Sequence, residues 1–313
     1  MSFNSQITRT DVEALIPEDV SREIIQGVPH TSAVMQLARR LPNMSRAQRR
    51  LPVLSTLISA YFVTGDTGLK QTSEAAWGNK YINAEELAVI VPIPEAVLMD
   101  SDYDIWSEIR PRIVEAFGIA FDAAVLYGTN APSDWPTDLV AGATSASHTV
   151  TLGTGADLYD DVMGVNGTLA KVEADGFNVT GHVAAMTMRA KLRGLRDANG
   201  VPIFNRTMQA ATQYELDGAP IIFPMNSAID AAESLLISGD WTQLVYAMRQ
   251  DITYTIATQG VIQDSAGNIV YNLFQQDMVA LRAVMRLGWQ LPNPINRLQP
   301  TEASRYPFAV LLP

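Results

Sequence analysis

Two hydrophobic periodicities divide the chain. From Ser101, the stretch SDYDIWSEIRPRIVEAFGIAFDAAVLYG spaces Ile105, Ile109, Ile113, Phe117 (or Ala116), Ala120, Ala124 and Tyr127 at near-helical intervals, with Asp and Arg on the other face. The spacing predicts the longest helix of the chain, about 25 residues and roughly 37 Å at the usual rise per residue. Ser101 or Asp102 is its expected cap, Gly128 its stop, and Pro111 a kink or restart point. Leu51 to Val63 and Leu87 to Ile93 are instead rich in Val, Ile, Leu and aromatics, which predicts strands. Between them, TGDTGLKQTSEAAWGNKYINAEE is polar and punctuated by glycine. Its flanks are therefore expected to pair as a long hairpin projecting from the body.

Ahead of these elements, IPEDVSREIIQGV predicts a short helix. Pro17 suits the first helical position, Glu18 and Asp19 favour the positive helix end, and Gly27 the left-handed stop. Residues Ala131 to Gly155, rich in Ala, Thr, Ser and Gly, are expected to be a connecting stretch at a domain boundary. Beyond it, helices over Asp157 to Asp175 and Met186 to Asn199 around a strand at His182 to Met188, then strands at Trp241 to Ile256 and Ile269 to Phe274, predict a second α+β domain. Met278 to Gln290 predicts one long strand, followed by a tail punctuated by proline. No internal repeat or low-complexity tract interrupts this order.

Composition narrows the classes. A chain of 313 residues, 47% hydrophobic, can bury a sizeable core. Its longest apolar stretch, Leu87 to Met99, is broken by Pro92 and Pro94 and falls short of the roughly 20 residues a membrane span needs. The first residues carry no secretion signal, and the absence of cysteine excludes disulfides and thiolate metal sites. A net charge of -11 argues against a simple nucleic-acid-binding module, although it suits a container that does not grip its contents.

Catalytic chemistry finds little support. His30, His148 and His182 are far apart and none has a partner at metal-ligand spacing. Asp100, Asp102 and Asp104 resemble the opening of a calcium loop, but Ile105 and Pro111 stand where the turn glycine and the bidentate glutamate belong, so they are expected to be helix-start acids. LGTGADL lacks the Lys-Ser/Thr of a phosphate loop and is expected to be an ordinary turn with Asp157 as a cap. No nucleophile elbow or zincin motif occurs. Five arginines, Arg39, Arg40, Arg46, Arg49 and Arg50, fall within twelve residues of an acidic chain. They form a solvated face, pair with carboxylates of their own chain, meet carboxylates of a neighbouring subunit, or line an inner surface near DNA. In the hairpin span, Lys70, Trp77, Lys80 and Tyr81 are candidates for intersubunit contact, against the plainer alternative of a loose polar loop.

The order of features resembles the tailed-bacteriophage major capsid family of the Hong Kong 97 type over nearly the whole chain. IPEDVSREIIQGVPHTSAVMQLARRLPN and the strand and polar hairpin with AYFVTGD are similar to that family's N-terminal arm and extended E-loop. ELAVIVPIPEAVLMDSDYDIWSEIRPRIVEAFGIAFDAAVLYGT resembles its strand, short helix and long spine helix; KLRGLRDANGVPIF, LDGAPIIFP and GDWTQLVYAMRQDITYTI resemble its axial domain; FQQDMVALRAVMRLGWQLPNPINRL resembles the returning strand. The resemblance implies an arm over 1–32, a discontinuous peripheral domain over 33–60, 95–150 and 272–313, an E-loop hairpin over 61–94 and an axial domain over 151–271.

It further implies pentamers and hexamers closing an icosahedral shell around double-stranded DNA held without sequence-specific binding. Catalysis, a cofactor, a metal and membrane association are not expected. The implied partners besides the chain itself are a portal protein, a separate scaffolding protein, because arm-like sequence begins almost at Met1, and in some systems a decoration protein. Assembly in the host cytoplasm and residence in the virion follow. Relatives that crosslink a hairpin lysine to a neighbour's asparagine suggest Lys70 or Lys80 for that role, but no motif places the asparagine and glutamate, so noncovalent contacts are expected. An encapsulin shell enclosing a cargo enzyme is the alternative of similar fold, and a two-domain enzyme or small-ligand-binding protein is a third class.

Overall fold

The computed structural model of the chain describes residues 32–63, 68–101, 104–196 and 215–313. The expected arm, apart from Ser32, lies outside the described residues, as do His30, Asp102 and the end of KLRGLRDANGVPIF. From Ser32 the chain forms α1 (Ala33–Leu37), β1 (Arg39–Arg40), β2 (Gln48–Thr56), β3 (Ala76–Asn83), β4 (Glu85–Pro94), α2 (Glu95–Asp100) and α3 (Ile105–Tyr127). Then follow α4 (Leu139–Ser145), β5 (Thr149–Thr151), α5 (Leu158–Met163), α6 (Thr168–Ala174), β6 (Gly181–Ala184) and α7 (Met186–Gly194). The last third contributes β7 (Glu215–Leu216), β8 (Ala219–Ile222), β9 (Leu236–Gly239), β10 (Val245–Ala257), β11 (Val261–Gln263), β12 (Ile269–Asn272), β13 (Met278–Gln290) and β14 (Phe308–Leu312).

Alternation along β13 places one sheet against α3. Leu281, Ala283, Met285, Leu287 and Trp289 share a face and are at most 3% exposed, while Arg282 and Arg286 occupy the other. The buried row packs with Ile113, Phe117, Phe121, Val125 and Leu126 of α3. β13 runs antiparallel to both β10 and β4, with Val245 opposite Gln290 and Met278 opposite Pro94, and β1 adds a short parallel edge to β10. The 23-residue α3 is the longest helix among the described residues and runs through Pro111 without interruption. Its cap is Asp104, which accepts from the Trp106 and Ser107 amides, and not the expected Ser101 or Asp102. Only Asp104 immediately precedes the first helical amides. Gly128 ends it at φ 67°, as the stop signal predicts.

The second sheet has the strand order β5, β14, β9, β6, β8, β7. Its central strands β6 and β9 are buried at every position, so their sequences do not alternate. Helices α5, α6 and α7 cover it through Val162, Leu169, Met188 and Leu192. Val183, Ile237, Phe308 and Val310 of this sheet enter the same interior as the β13 row, so both sheets share one core. The Ala131 to Gly155 stretch is part of this body and not merely a connection: it supplies α4, with Leu139 and Ala143 fully buried, and β5. Its small residues serve packing, since a Cβ on Gly142 would overlap the Tyr306 ring. The tail likewise ends in β14, inserted between β5 and β9.

A hairpin stands out from the body, but between different strands from those expected. β2 pairs with β3, from Gln48 opposite Asn83 to Thr56 opposite Ala76, so the polar span itself supplies a strand. β4, the expected partner, is taken by β13, where Leu87, Val89 and Val91 reach the core, an area of apolar contact that an exposed hairpin cannot offer.

Candidate assembly surface

The hairpin changes character along its length. At its root, Ile82 and Ala84 pack with Met44, Val245 and Ala247, so the junction with the sheet is apolar and closed. Gly288 of β13 lies directly beneath; a Cβ there would run into the Asn83 carbonyl. Farther out, the legs are joined by Ser59 N–H donating to Ser73 Oγ at 2.9 Å and Tyr61 Oη–H donating to the Gln71 carbonyl at 2.9 Å. The end carries large apolar side chains without cover: Phe62 is fully exposed and Leu69 is 90% exposed, with Ile58 and Val63 beside them in sequence.

Alternation separates the hairpin candidates. Trp77, 69% exposed, and Tyr81 share the open face of β3. Lys80 occupies the opposite face and pairs with Glu302 of its own chain at 2.8 Å. Lys70 lies beyond β3 and is exposed. The four residues therefore do not converge on one patch. The arginines converge only in part. Arg39 and Arg40 occupy the sheet-edge strand β1, where charge discourages edge-to-edge pairing. Arg40 donates to Asn43 Oδ1 at 3.3 Å and Arg49 to the Pro42 carbonyl at 2.7 Å, so these two meet the same turn. Arg46 and Arg50 are exposed, and among the described residues none of the five pairs with a carboxylate. The solvated face, contact with a neighbouring subunit's carboxylates and an inner surface near DNA remain, while pairing within the described chain does not occur.

Where the chain leaves the body toward its first residues, α3 provides an anchor. The buried Asp122 carboxylate accepts from Ser32 Oγ–H, from Ala33 N–H at 2.8 Å and from Val34 N–H at 3.2 Å, which caps α1. Burial pushes the carboxyl up to about 6, while the same three donors pull it down. Nothing in the residue pattern announced this role, because a buried Asp at helical spacing looks like a polar interruption of an apolar face.

Several of the described residues tested for chemistry make contacts within the fold. His182 is buried in β6; Nε2–H donates to the Leu216 carbonyl and Nδ1 accepts from Ser238, and burial lowers its pKa to about 4. His148 is buried against Asp175, with Nε2 to Oδ2 at 3.1 Å, and the Phe308 carbonyl. In LGTGADL, the amides of Gly153 and Gly155 donate to Asp161 at 2.7 and 2.6 Å, so an internal carboxylate fills the turn. Asp157 caps α5 as expected. Among the described residues no group of three His, Cys, Asp or Glu is placed to hold a metal, and no helix is long and apolar enough to cross a membrane. An apolar cavity of about 150 Å³ lies between α3 and the start of β4, lined by Leu87, Phe121, Trp135 and Leu287. A polar one of about 250 Å³ lies between the hairpin and residues 292–305.

Two apolar surfaces escaped the sequence reading. One is the hairpin end, with Phe62 and Leu69. The other is the β11–β12 ribbon, where Ile269, Val270 and Phe274 are exposed. The available signal was large apolar residues inside glycine-rich polar stretches, a pattern that also fits ordinary buried turns.

The phage capsid family model matches residues 13–298. The major capsid protein of Staphylococcus phage 80alpha is 29% identical over 285 residues, covering 90% of this chain and 83% of that one. A solved structure from Microbacterium phage Oxtober96 superposes with a TM-score of 0.84 at 35% identity, over 99% of this chain and 100% of that one. One from Mycobacterium phage Bobi gives 0.82 at 30% identity over 99% of each chain. The mixed α+β fold expected from the sequence is the fold of these tailed-phage capsid structures, and the encapsulin alternative is not favoured.

Proposed function

Because the chain belongs to the phage capsid family and serves as the major capsid protein of a tailed phage, we propose that its copies form pentamers and hexamers that close an icosahedral shell around double-stranded DNA. The observation that carries this reading beyond the family is the hairpin. Its root is packed into the body, while its end presents Phe62 and Leu69 uncovered among the described residues, as an element meant for a neighbour would. Each subunit lays the hairpin on the next subunit's peripheral domain, centred on α3 and β13, which β4 and β10 join although the expected bounds assigned them to the E-loop and the axial domain. The axial domain, expected over 151–271, is built on the six-stranded sheet, which β5 and β14 complete from the segments expected to be peripheral. The arm, anchored at Asp122, reaches a further subunit. Many weak contacts then hold a durable shell by effective concentration.

In this reading Trp77 and Tyr81 face a neighbour, and Lys70 and the exposed arginines supply polar contacts there or toward the interior. A scaffolding protein and a portal protein are its partners, joined in some systems by a decoration protein. Assembly takes place in the host cytoplasm, and the function is structural, not enzymatic. Pro111 is the place where α3 bends during expansion of a precursor shell; normal expansion of Pro111→Ala shells would remove that role. Expression with and without the scaffold, followed by negative-stain electron microscopy and mass spectrometry of the contents, tests the whole reading. Closed shells are the expected result. Monomers and small oligomers under both conditions would sink it.

A further inference from the structure

The hairpin touches its own chain a second time, outside its apolar root. Four polar contacts join it to the end of β13 and the tail that follows. Gln290 Nε2–H donates to the Tyr81 carbonyl at 2.7 Å, and Ile295 N–H to the Leu54 carbonyl at 3.4 Å. Arg297 donates to the Ile58 carbonyl at 2.6 Å, and Lys80 meets Glu302 at 2.8 Å. The tail that offers Ile295, Arg297 and Glu302 is folded around a buried arginine. Arg305, 3% exposed, donates to the Asn293 side chain and carbonyl and to the carbonyls of Gln299 and Pro300, at 2.8 to 3.1 Å. A planar guanidinium can hold several carbonyls in one fixed arrangement, which lysine cannot do.

We propose that residues 290–305 form a clip that sets the angle of the β2–β3 hairpin to the body, with Arg305 as the positioning residue and Lys80, Glu302 and Arg297 as the contacts that hold or release it. The contrast between root and clip is the argument. The root is packed and apolar. The clip seam encloses a polar cavity of about 250 Å³, and its ion pair is exposed. Exposed pairs are weak and screened by salt, so the clip biases the hairpin without fixing it. This assigns Lys80 a partner within its own chain, where the sequence pointed to a neighbouring subunit. The consequence for assembly rests on the capsid reading; the clip itself does not.

The chain has no cysteine, so paired spin labels report the hairpin angle cleanly. Labels at Glu74→Cys on the hairpin and Glu173→Cys on α6 are read by pulsed electron resonance on dissociated subunits. The unaltered clip should give one narrow distance distribution. Lys80→Glu or Glu302→Lys alone should broaden or shift it, with thermal melting unchanged, and the double swap should restore it. Arg297→Ala should also broaden it, which keeps the test open if Arg305→Ala unfolds the tail. An unmoved distribution in the single variants, or no recovery in the swap, overturns the clip. Shell yield is scored separately: it should fall several-fold in the single variants and recover in the swap. Failure of the unaltered chain to form shells would instead count against the capsid reading, because the distance measurement needs no shell.

Discussion

The six-stranded sheet and the β2–β3 hairpin solve opposite problems with the same kind of strand. In the sheet, β6, β9 and nearly all of β14 are buried, and even the polar His182 and Ser238 are satisfied by each other and by Leu216. In the hairpin, Trp77, Phe62 and Leu69 are open to solvent and the polar atoms nearby are satisfied by short local bonds. A strand in the sheet is stabilised by what surrounds it. The hairpin is ordered from its root and left incomplete at its end, which teaches that folding and assembly are carried by separate residues. Substitutions can test that separation directly, ranked by their effect on the stability of the subunit.

The largest effect belongs to the shared core. Phe308 of β14 is fully buried and stacks edge-on against Trp241 at 5.1 Å between centroids. Phe308→Ala should destabilise the subunit by about 3–5 kcal/mol, the usual range for removing a buried aromatic, seen as a lowered denaturant midpoint. A loss below about 1 kcal/mol would mean that the tail strand is not integral to the sheet.

Next comes the proton balance inside the sheet. The His182 ring has a folded pKa of about 4 against an ordinary 6.5, so between those values the unfolded chain binds a proton that the folded one refuses. Its contribution is therefore complete above 6.5 and is lost as the pH falls toward 4, on the order of 3 kcal/mol at about 1.4 per unit. Asp122 works in the opposite sense. Its pKa is raised from 3.8 to about 6, so the folded chain favours the proton and stability falls as the pH rises through that window. Melting of the chain and of a His182→Gln variant from pH 7 to 4.5 separates the two. The unaltered protein should lose stability faster on acidification, and parallel curves would refute the neutral-ring assignment.

A smaller effect is expected where the two regions join. A Cβ at residue 288 would meet backbone atoms of Asn83, which cannot rotate away, so Gly288→Ala should cost about 1–3 kcal/mol by forced displacement. The cost should be accompanied by a changed hairpin position in the spin-label measurement. Equal loss without displacement would place the strain in the sheet alone.

How much of this was readable beforehand follows the same division. Elements that bury a periodic face announced themselves: the α3 spacing with its Gly128 stop, and β13 from Met278 to Gln290. Partner choice was not readable, because β2 and β4 both look like strands and the core next to β13 decides between them. β3 was missed because its outward residues Trp77, Asn79 and Tyr81 alternate with Gly78 and Lys80, which gives no apolar face. α4 was missed because packing against Tyr306 demands the small residues that also make linkers. Of the candidate assembly residues, type was legible and direction was not. Whether Lys80 looks outward or toward Glu302 depends on a fold of the tail centred on Arg305, more than two hundred residues away in sequence.

The smallest effect on stability decides the comparison. Phe62→Ser and Leu69→Ser remove side chains that touch little of their own subunit, so each should alter the unfolding free energy by no more than about 0.5 kcal/mol, as surface substitutions do. If the hairpin end is completed by a neighbour, the same changes remove apolar contact at every repeat of the interface. A loss of about 1–2 kcal/mol per contact, the burial value of part of a large apolar side chain, is multiplied over the whole shell. Shell yield at fixed subunit concentration should then collapse while subunit melting stays in place. Shells forming as before would show that these side chains face solvent in the assembly as they do in the subunit, and the separation of folding from assembly would have to be sought elsewhere, for example at the β11–β12 ribbon, where Ile269 and Val270, and Phe274 just after it, are also exposed.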